Sequence, residues 1–413
     1  MRPPARERQP RGEPASPATR LLAVGLLLCI AAGLLSAVAG GLLRAGVPLA
    51  RAGAPDWLGQ AAVQHAALMI CAFMGTVIAV ERAVAVKLAM AWLAPAASAL
   101  AGPALLLGHA AVGGGLLVLS GAAFVAVNVV VVQRQSEPHT WLLLASAVAW
   151  FAGNSLFAAG LAPAAVVPWW FGFLVMTIAA ERLEMTRLMR RRRAALPALV
   201  GLLALLAAGA AGSAADPVAG GVLYGVALLG LSAWLLSFDI ARRTLFTQGL
   251  SRYMAVCLLS GYAWLAVGGV AWAATATGAP WRDAALHALG LGFVFSMMMG
   301  HAPVILPAVA GVKLLFGWPF YLPLALLHGS LLVRLGLRAF DAGWLPRGAE
   351  LNAAAIALFA FTAIGAVFAW RRKHALAPRR ARPPAPAAAG GGGSPAARRP
   401  QLPARGAGGG KDA

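Results

Sequence analysis

Residues 110–133 read AAVGGGLLVLSGAAFVAVNVVVVQ, a stretch without a single charged side chain. An α-helix needs about 20 apolar residues to cross the hydrocarbon core of a bilayer, so this stretch predicts a transmembrane helix. Similar runs recur along the chain, of which 60% is hydrophobic and only 11% is charged. Soluble domains carry about 25% charged residues. A soluble globular protein is therefore excluded, and the sequence predicts an all-α polytopic membrane protein.

Glycine, proline and charged residues divide the chain into twelve predicted spans. They lie at 21–43, 59–82, 89–108, 110–133, 140–161, 166–186, 195–213, 218–238, 252–275, 284–307, 318–337 and 350–370. The membrane domain at 21–371 thus follows a basic segment at 1–20 and precedes a basic tail at 372–413. The proline, alanine and glycine in that tail predict a disordered linker. The first apolar run is longer than the core of a signal peptide, so we interpret it as an uncleaved span.

The formal net charge of +21 is concentrated at the termini and in short loops between the spans. This distribution follows the positive-inside rule and predicts that both termini are cytoplasmic. We interpret the charge as a topology signal with a solvated tail, or as contact with anionic membrane lipids, and we expect no nucleic-acid partner. Cys29, Cys71 and Cys257 lie inside apolar runs without CxxC spacing. They predict small core residues rather than disulfides.

Two stretches one hundred residues apart resemble each other. Residues 73–82 read FMGTVIAVER and residues 173–182 read FLVMTIAAER, in the second and sixth spans. A shift of 222 places His287 and Phe295 of the tenth span opposite His65 and Phe73. Because these spans are four apart, we predict three quasi-equivalent groups of four helices. The alternative is that the likeness reflects only the apolar composition that membrane helices share.

His65 and His287 each lie a short way inside an apolar span, 8 and 6 residues after Trp57 and Trp281. At ~1.5 Å per helical residue, both imidazoles lie roughly 9–12 Å below the same membrane face. Two neutral imidazoles from different helices can hold a haem iron or another metal. The alternative is that each histidine is hydrogen-bonded to a neighbouring helix. We predict a haem between them, with a propionate paired to Arg51. The predicted haem is of b type, because the chain has no CxxCH motif for covalent attachment.

A second candidate metal site lies around His301 and His328. Met297 and Met298 precede His301 by four and three residues, so sulfur and imidazole share one helical face. Thioether and imidazole ligands suit copper, and the pattern therefore predicts a copper site. The alternative is a methionine-lined packing face whose histidines bond to backbone groups freed by Pro303 and Pro307.

Glutamate–arginine pairs end the second and sixth spans, as Glu81-Arg82 and Glu181-Arg182. One interpretation is a set of ion pairs that lock the helices together, extended by Glu184 and Arg187. The other is the entrance of a proton route.

The stretches His65-Ala66-Ala67-Leu68-Met69 and Ala285-Leu286-His287-Ala288-Leu289 resemble the corresponding segments of the NnrS family. NnrS proteins are twelve-span bacterial membrane proteins associated with nitric oxide metabolism and reported to contain haem and copper. More distantly, twelve spans in three groups of four resemble the catalytic subunit of haem–copper oxidases. In that superfamily, histidines of spans 2 and 10 hold a low-spin haem near the outer face. The resemblance assigns this role to His65 and His287 and implies a bacterial inner (cytoplasmic) membrane location.

The chain departs from these families where their second metal would bind. The oxidase copper centre needs a histidine in span 6 and an adjacent pair in span 7. Here the sixth span offers Trp169-Trp170, the seventh has no histidine, and Ala67 stands where NnrS proteins have a second histidine. We therefore do not expect turnover as a terminal oxidase or nitric oxide reductase.

Three functions remain open from the sequence. The first is a haem-binding and copper-binding inner-membrane protein of nitrosative stress or respiratory metabolism, with respiratory or denitrification components as partners. The others are a twelve-span secondary transporter and a non-catalytic assembly factor. A transporter is expected to place polar side chains at the bilayer midplane, where this chain offers only Asn128, Asn154, Ser155 and His328.

Overall fold

The computed structural model describes residues 17–49, 56–186 and 193–375. Within these residues twelve helices are long and apolar enough to cross a membrane, which confirms the predicted all-α polytopic fold. Their bounds are Val24–Arg44 (α1), Ala67–Val86 (α2), Ala89–Leu106 (α3), Ala110–Arg134 (α4), Pro138–Ala158 (α5), Pro163–Met185 (α6), Ala195–Gly212 (α7), Pro217–Phe238 (α8), Leu250–Ala276 (α9), Arg282–Pro307 (α10), Trp318–Ala339 (α11) and Trp344–Ala375 (α12). A short helix, Asp56–Val63, leads into α2, and another, Ala241–Thr244, lies between α8 and α9.

Helices α2, α6 and α10 form the centre of the bundle. The buried shares of their apolar windows are 61%, 78% and 61%, and none of the other nine described spans exceeds 50%. Helix α6 packs against both α2 and α10, which also contact each other. Central helices spaced four apart are what three groups of four would require, although that grouping itself stays a prediction.

An aromatic stack fixes the middle of the bundle. The rings of Trp150 on α5 and Phe173 on α6 are parallel within 12°, with centroids 4.9 Å apart. Phe124 on α4 meets both rings edge-on. Gly75 on α2 lies so close to the Trp150 ring that a Cβ there would overlap it. Such aromatic pairs contribute about 0.5–1.5 kcal/mol each beyond the area they bury, so this contact holds α2 against α5 and α6.

Two of the central helices contain π-helical segments, which begin just after the candidate histidines. Residues Ala67–Gly75 of α2 and Ala288–Phe295 of α10 are π-helical. In the first segment the Cys71 carbonyl accepts from the backbone N–H of Thr76 and also, at 2.9 Å, from the Ser98 hydroxyl of α3. π-Helical turns are rare and occur frequently at functional sites.

The helices run between two ends of the bundle that differ in composition. The histidine end is the one that carries His65 and His287, where α2 and α10 begin. The glutamate end is the one that carries Glu81 and Glu181, where α2 and α6 end. The predicted tail and basic N-terminal segment lie largely outside the described residues, as does Arg187.

Candidate haem site at the histidine end

His65 and His287 face each other across the interior of the bundle. Their ring centroids are 6.4 Å apart and their planes differ by 25°. The sequence shift of 222 that pairs them also pairs Phe73 with Phe295, whose centroids are likewise 6.4 Å apart. Helices α2 and α10 therefore meet at two pairs of residues that the same sequence shift aligns, one pair at the start of the helices and one about two turns further along.

The spacing of the two imidazoles matches that of two ligands on one metal. A metal–imidazole bond is about 2.0 Å and a ring nitrogen lies about 1.1 Å from its own centroid, so two axial imidazoles place their centroids about 6 Å apart. The observed centroid separation of 6.4 Å is close to this value.

Hydrogen bonds at Nδ1 orient both rings so that Nε2 remains for a ligand. His65 Nδ1 lies 2.7 Å from the carbonyl oxygen of Ala37 on α1. His287 Nδ1 lies 3.0 Å from the carbonyl oxygen of Asp283 and 3.0 Å from its carboxylate oxygen Oδ1. Each Nδ1–H donates to these acceptors, which fixes the tautomer that carries a lone pair on Nε2. Metal-bound histidines are almost always held in this way.

Both histidines line a cavity of about 420 Å³. Its walls are mostly apolar side chains of α2, α6, α10 and α12. The wall residues include Met69, Ile70, Val167, Phe171, Leu174, Leu291, Val294, Phe295 and Ile356. The glycine at position 41 of α1 leaves room for the ring of His65, because a Cβ at Gly41 would lie 2.7 Å from Cε1 of His65.

Basic side chains stand at the mouth of the cavity. Arg44, Arg282, Arg334 and Arg338 all line it, against the single carboxylate of Asp283. Arg334 donates two hydrogen bonds to the carboxylate of Asp283, from Nε to Oδ2 at 3.1 Å and from Nη2 to Oδ1 at 2.8 Å. Arg338 Nη1 lies 3.1 Å from Oδ2 of the same carboxylate. The cavity thus combines apolar walls with an excess of positive charge at its mouth.

The sequence prediction missed Arg334, whose position follows from a third π-helical segment, Leu332–Gly336. Arg334 Nη1 also donates to Oδ1 of Asn352 on α12, at 3.3 Å. A buried arginine inside a predicted span was the signal available in the sequence, because intramembrane charges usually mark function. The arginine that was predicted, Arg51, lies outside the described residues.

His301 lies at the opposite, glutamate end of α10 and has partners on both ring nitrogens. Its Nδ1 lies 2.7 Å from the carbonyl oxygen of Met297, and its Nε2 accepts from Nη1 of Arg182 at 3.2 Å. A neighbouring guanidinium and the loss of the free lone pair both disfavour a metal cation. The side chain of Met297 packs instead against Gly261 of α9.

His328 does not join His301. Its Nδ1 accepts a hydrogen bond of 2.9 Å from Trp264 Nε1, and the two rings are nearly parallel. The predicted copper set of His301, His328, Met297 and Met298 is thus divided between different neighbours. Among the described residues, no group of three or more His, Cys, Asp or Glu side chains is arranged to hold a metal ion.

The glutamate end is held by an ion pair that differs from the predicted one. Arg182 Nε contacts Oδ2 of Asp239 at 2.8 Å, and both side chains are almost completely buried. Tyr262 donates to the same carboxylate oxygen at 2.9 Å. Glu81 and Glu181 lie near each other and near Arg82. Within the described residues neither glutamate forms an ion pair with Arg82 or Arg182 below 4.0 Å.

Comparison with known proteins places the chain in a family but does not name an activity. Neither a curated protein nor a solved structure matches the chain significantly. A family profile described as a domain of unknown function, DUF8744, matches residues 20–368, which include all twelve membrane helices almost to the end of the last. The protein with the histidine-lined cavity described above therefore belongs to the DUF8744 family.

Proposed function

We propose that this protein binds one b-type haem in the membrane, with His65 and His287 as its two axial ligands. The observation that carries the proposal is the 6.4 Å separation of two nearly parallel imidazole rings. Each ring has its Nδ1 hydrogen-bonded and lines the same cavity. Bound haem supplies one-electron redox chemistry.

The cavity supports the proposal because it suits both halves of the ligand. A porphyrin is a flat apolar ring with two anionic propionates at one edge. The walls contributed by Phe171, Leu291 and Phe295 suit the ring, and the basic mouth suits the propionates. Among the arginines, Arg282 and Arg44 have no carboxylate partner within the described residues, so they are the favoured propionate partners.

We further propose that the haem serves electron transfer in respiratory or nitric oxide metabolism, as the resemblance to NnrS proteins implies. His65 and His287 would both hold the haem iron, which would leave no free binding position on the iron for a small ligand such as nitric oxide. This arrangement favours electron transfer over turnover of a gas. Respiratory or denitrification components would then be the partners.

We propose a location in the bacterial inner membrane with both termini cytoplasmic, which puts the histidine end on the periplasmic side. Arg82, Lys87, Arg134 and Lys313 all lie at or beside the glutamate end, as the positive-inside rule requires for a cytoplasmic face. Reporter fusions after Arg134 should report cytoplasm, and fusions near Asp216 should report periplasm. The opposite pattern would invert the assignment.

The transporter alternative finds less support in the middle of the bundle. Asn154 on α5 links α4 and α6, because its Oδ1 accepts from Trp170 Nε1 at 2.9 Å and its Nδ2 donates to the Leu117 carbonyl at 2.8 Å. Asn128 donates to the Phe124 carbonyl within its own helix, at 2.9 Å. Asn154 thus stabilises helix packing, whereas the buried Oδ1 of Asn128 has no hydrogen-bond partner within the described residues. The assembly-factor alternative predicts a folded protein without a chromophore.

The test is the absorption spectrum of the full-length protein purified in detergent. Wild-type protein should show a low-spin Soret band and a pyridine haemochrome of b type. His65→Ala and His287→Ala should each abolish the low-spin spectrum while the protein elutes as a single species in gel filtration. His328→Ala is the matched control, since it removes another half-buried histidine of the membrane helices.

Two results would overturn the proposal. One is wild-type protein that contains no haem and takes up none from solution. The other is His65→Ala protein that keeps a full and unshifted Soret band.

A further inference from the structure

Asp283 distinguishes the environments of the two histidines. It lies one helical turn before His287 on α10, and its Oδ1 approaches His287 Nδ1 to 3.0 Å. His65 has no such partner within the described residues; its Nδ1 is bonded to the backbone carbonyl of Ala37. Both imidazoles therefore have a backbone carbonyl oxygen at Nδ1, and only His287 also has a carboxylate oxygen there, at 3.0 Å.

The carboxylate of Asp283 is held rigidly in place. Arg334 contacts both of its oxygens, at 2.8 and 3.1 Å, and Arg338 contacts Oδ2 at 3.1 Å. Arg334 is buried and is itself fixed by Asn352, whose Nδ2 donates to Ser330 Oγ at 2.5 Å. A chain of hydrogen bonds thus runs from α12 through α11 to the ring of His287.

A carboxylate at Nδ1 changes what the imidazole does at Nε2. It orients the ring, and it pulls the Nδ1 proton away, which makes Nε2 a more basic donor. A more basic ligand favours the higher charge of ferric iron over ferrous iron, and ligand and outer-shell hydrogen bonds are among the means by which proteins tune haem potentials.

We propose that Asp283 is a positioning residue that orients His287 and makes it the more basic of the two axial ligands. This inference rests on the proposed haem site and adds to it an asymmetry between the ligands. Asp283 does not touch the metal. It acts through His287, and the two arginines keep its carboxylate directed at the ring.

The experiment compares the midpoint potential and the low-spin ferric EPR signal of three haem-loaded variants with those of wild type. Asp283→Asn keeps the size of the side chain and removes its charge. Outer-shell substitutions of this kind typically cost 10–100-fold in metal affinity. We expect Asp283→Asn to weaken the binding of ferric haem more than that of ferrous haem. Each tenfold loss of ferric affinity relative to ferrous affinity raises the one-electron midpoint potential by about 59 mV.

The EPR signal separates the positioning role from simple stabilisation of the fold, because a structural contact alone would not alter the ligand field of haem that is still bound. Asp283→Asn should change the signal as well as the potential. Asp283→Glu restores a carboxylate and should move both readouts back toward wild type. Asp239→Asn is the matched control, since it removes another arginine-bound carboxylate at the far end of the bundle and should change neither.

Asp283→Asn protein that holds haem with unchanged potential and unchanged EPR signal would overturn the role of Asp283 and leave the haem site intact. If this variant purifies without haem, titration of ferric haem into it gives a dissociation constant instead. A constant within twofold of that of wild type would overturn the proposal, and a weaker one that Asp283→Glu restores would support it. Wild-type protein that never binds haem contradicts the proposed function itself, which is a different result.

Discussion

Both ends of the helix bundle contain buried polar groups, but the groups that we compare at the two ends differ in what surrounds them. At the glutamate end, Arg182 is shared between Asp239 and His301, and Asp239 also accepts from Tyr262. At the histidine end, no described residue is a hydrogen-bond partner of Nε2 of His65 or His287, and both rings line a cavity of about 420 Å³. A cluster whose donors and acceptors are satisfied holds helices together. A cluster with free lone pairs beside open space can bind a ligand.

The largest expected effect tests the structural role of the glutamate end. Arg182→Ala leaves the carboxylate of Asp239, whose side chain is 1% exposed, without its counter-charge. Removing one partner of a buried ion pair costs about 3–5 kcal/mol, so the melting temperature in detergent should fall sharply. Haem content per folded molecule should not change.

Arg134→Ala is the control for that substitution. Arg134 is exposed at the same end and donates to the Val86 carbonyl at 2.9 Å. Its loss should have a small effect on stability. The comparison between the two ends fails if Arg182→Ala protein melts like wild type but has lost its haem.

An intermediate effect is expected where α1 passes the ring of His65. A Cβ at Gly41 would lie 2.7 Å from Cε1 of His65, so Gly41→Ala should displace the imidazole. We expect haem affinity to fall about tenfold, the lower end of the range for changes around a metal ligand. Haem titration monitored at the Soret band measures the change.

Gly25→Ala on the same helix separates this steric effect from the general effect of alanine on helix stability. Nothing lies within 4 Å of a Cβ placed at Gly25. The variant should therefore bind haem like wild type. Equal affinities for Gly41→Ala and Gly25→Ala would show that the position of the His65 ring does not limit binding.

The smallest effect is expected at His301. Because both of its ring nitrogens have protein partners, His301→Gln should leave copper and haem content unchanged. Elemental analysis of the purified protein measures both metals. Stoichiometric copper in wild type that disappears in His301→Gln and in Met297→Leu would restore the copper site that the sequence predicts.

The sequence predicts the fold well because length and apolar composition alone determine a transmembrane helix. It also predicts that His65 and His287 lie at one depth, since depth below the membrane face can be counted from the nearby tryptophans. The offset of 222 adds Phe73 and Phe295, and both pairs meet in the structure. Residues that the shift of 222 aligns along the chain thus lie beside each other in space.

What the sequence does not reveal are contacts between helices far apart in the chain. Asp239 follows α8 at a loop, and no local pattern connects it with Arg182, 57 residues earlier. Asp283 and Arg334 are 51 residues apart and meet because α10 and α11 pack together. Contacts between distant helices also explain why the structure does not support the predicted copper site. Helical spacing placed Met297 and His301 on one face, but the neighbouring helices supplied Arg182 and Gly261 as their partners.

The π-helical segments have a consequence for how α2 and α10 tolerate changes of length. A π-helical turn contains one residue more than an α-helical turn, and each residue of an α-helix rotates the chain by about 100°. Deleting one residue between Ala67 and Gly75 would return this segment to α-helical winding, which absorbs the lost residue and keeps His65 and Glu81 in nearly the same relative orientation. Each π-helical segment can therefore absorb a one-residue deletion, whereas the same deletion in the regular α-helix between Gly75 and Glu81 would turn His65 by about 100° relative to Glu81.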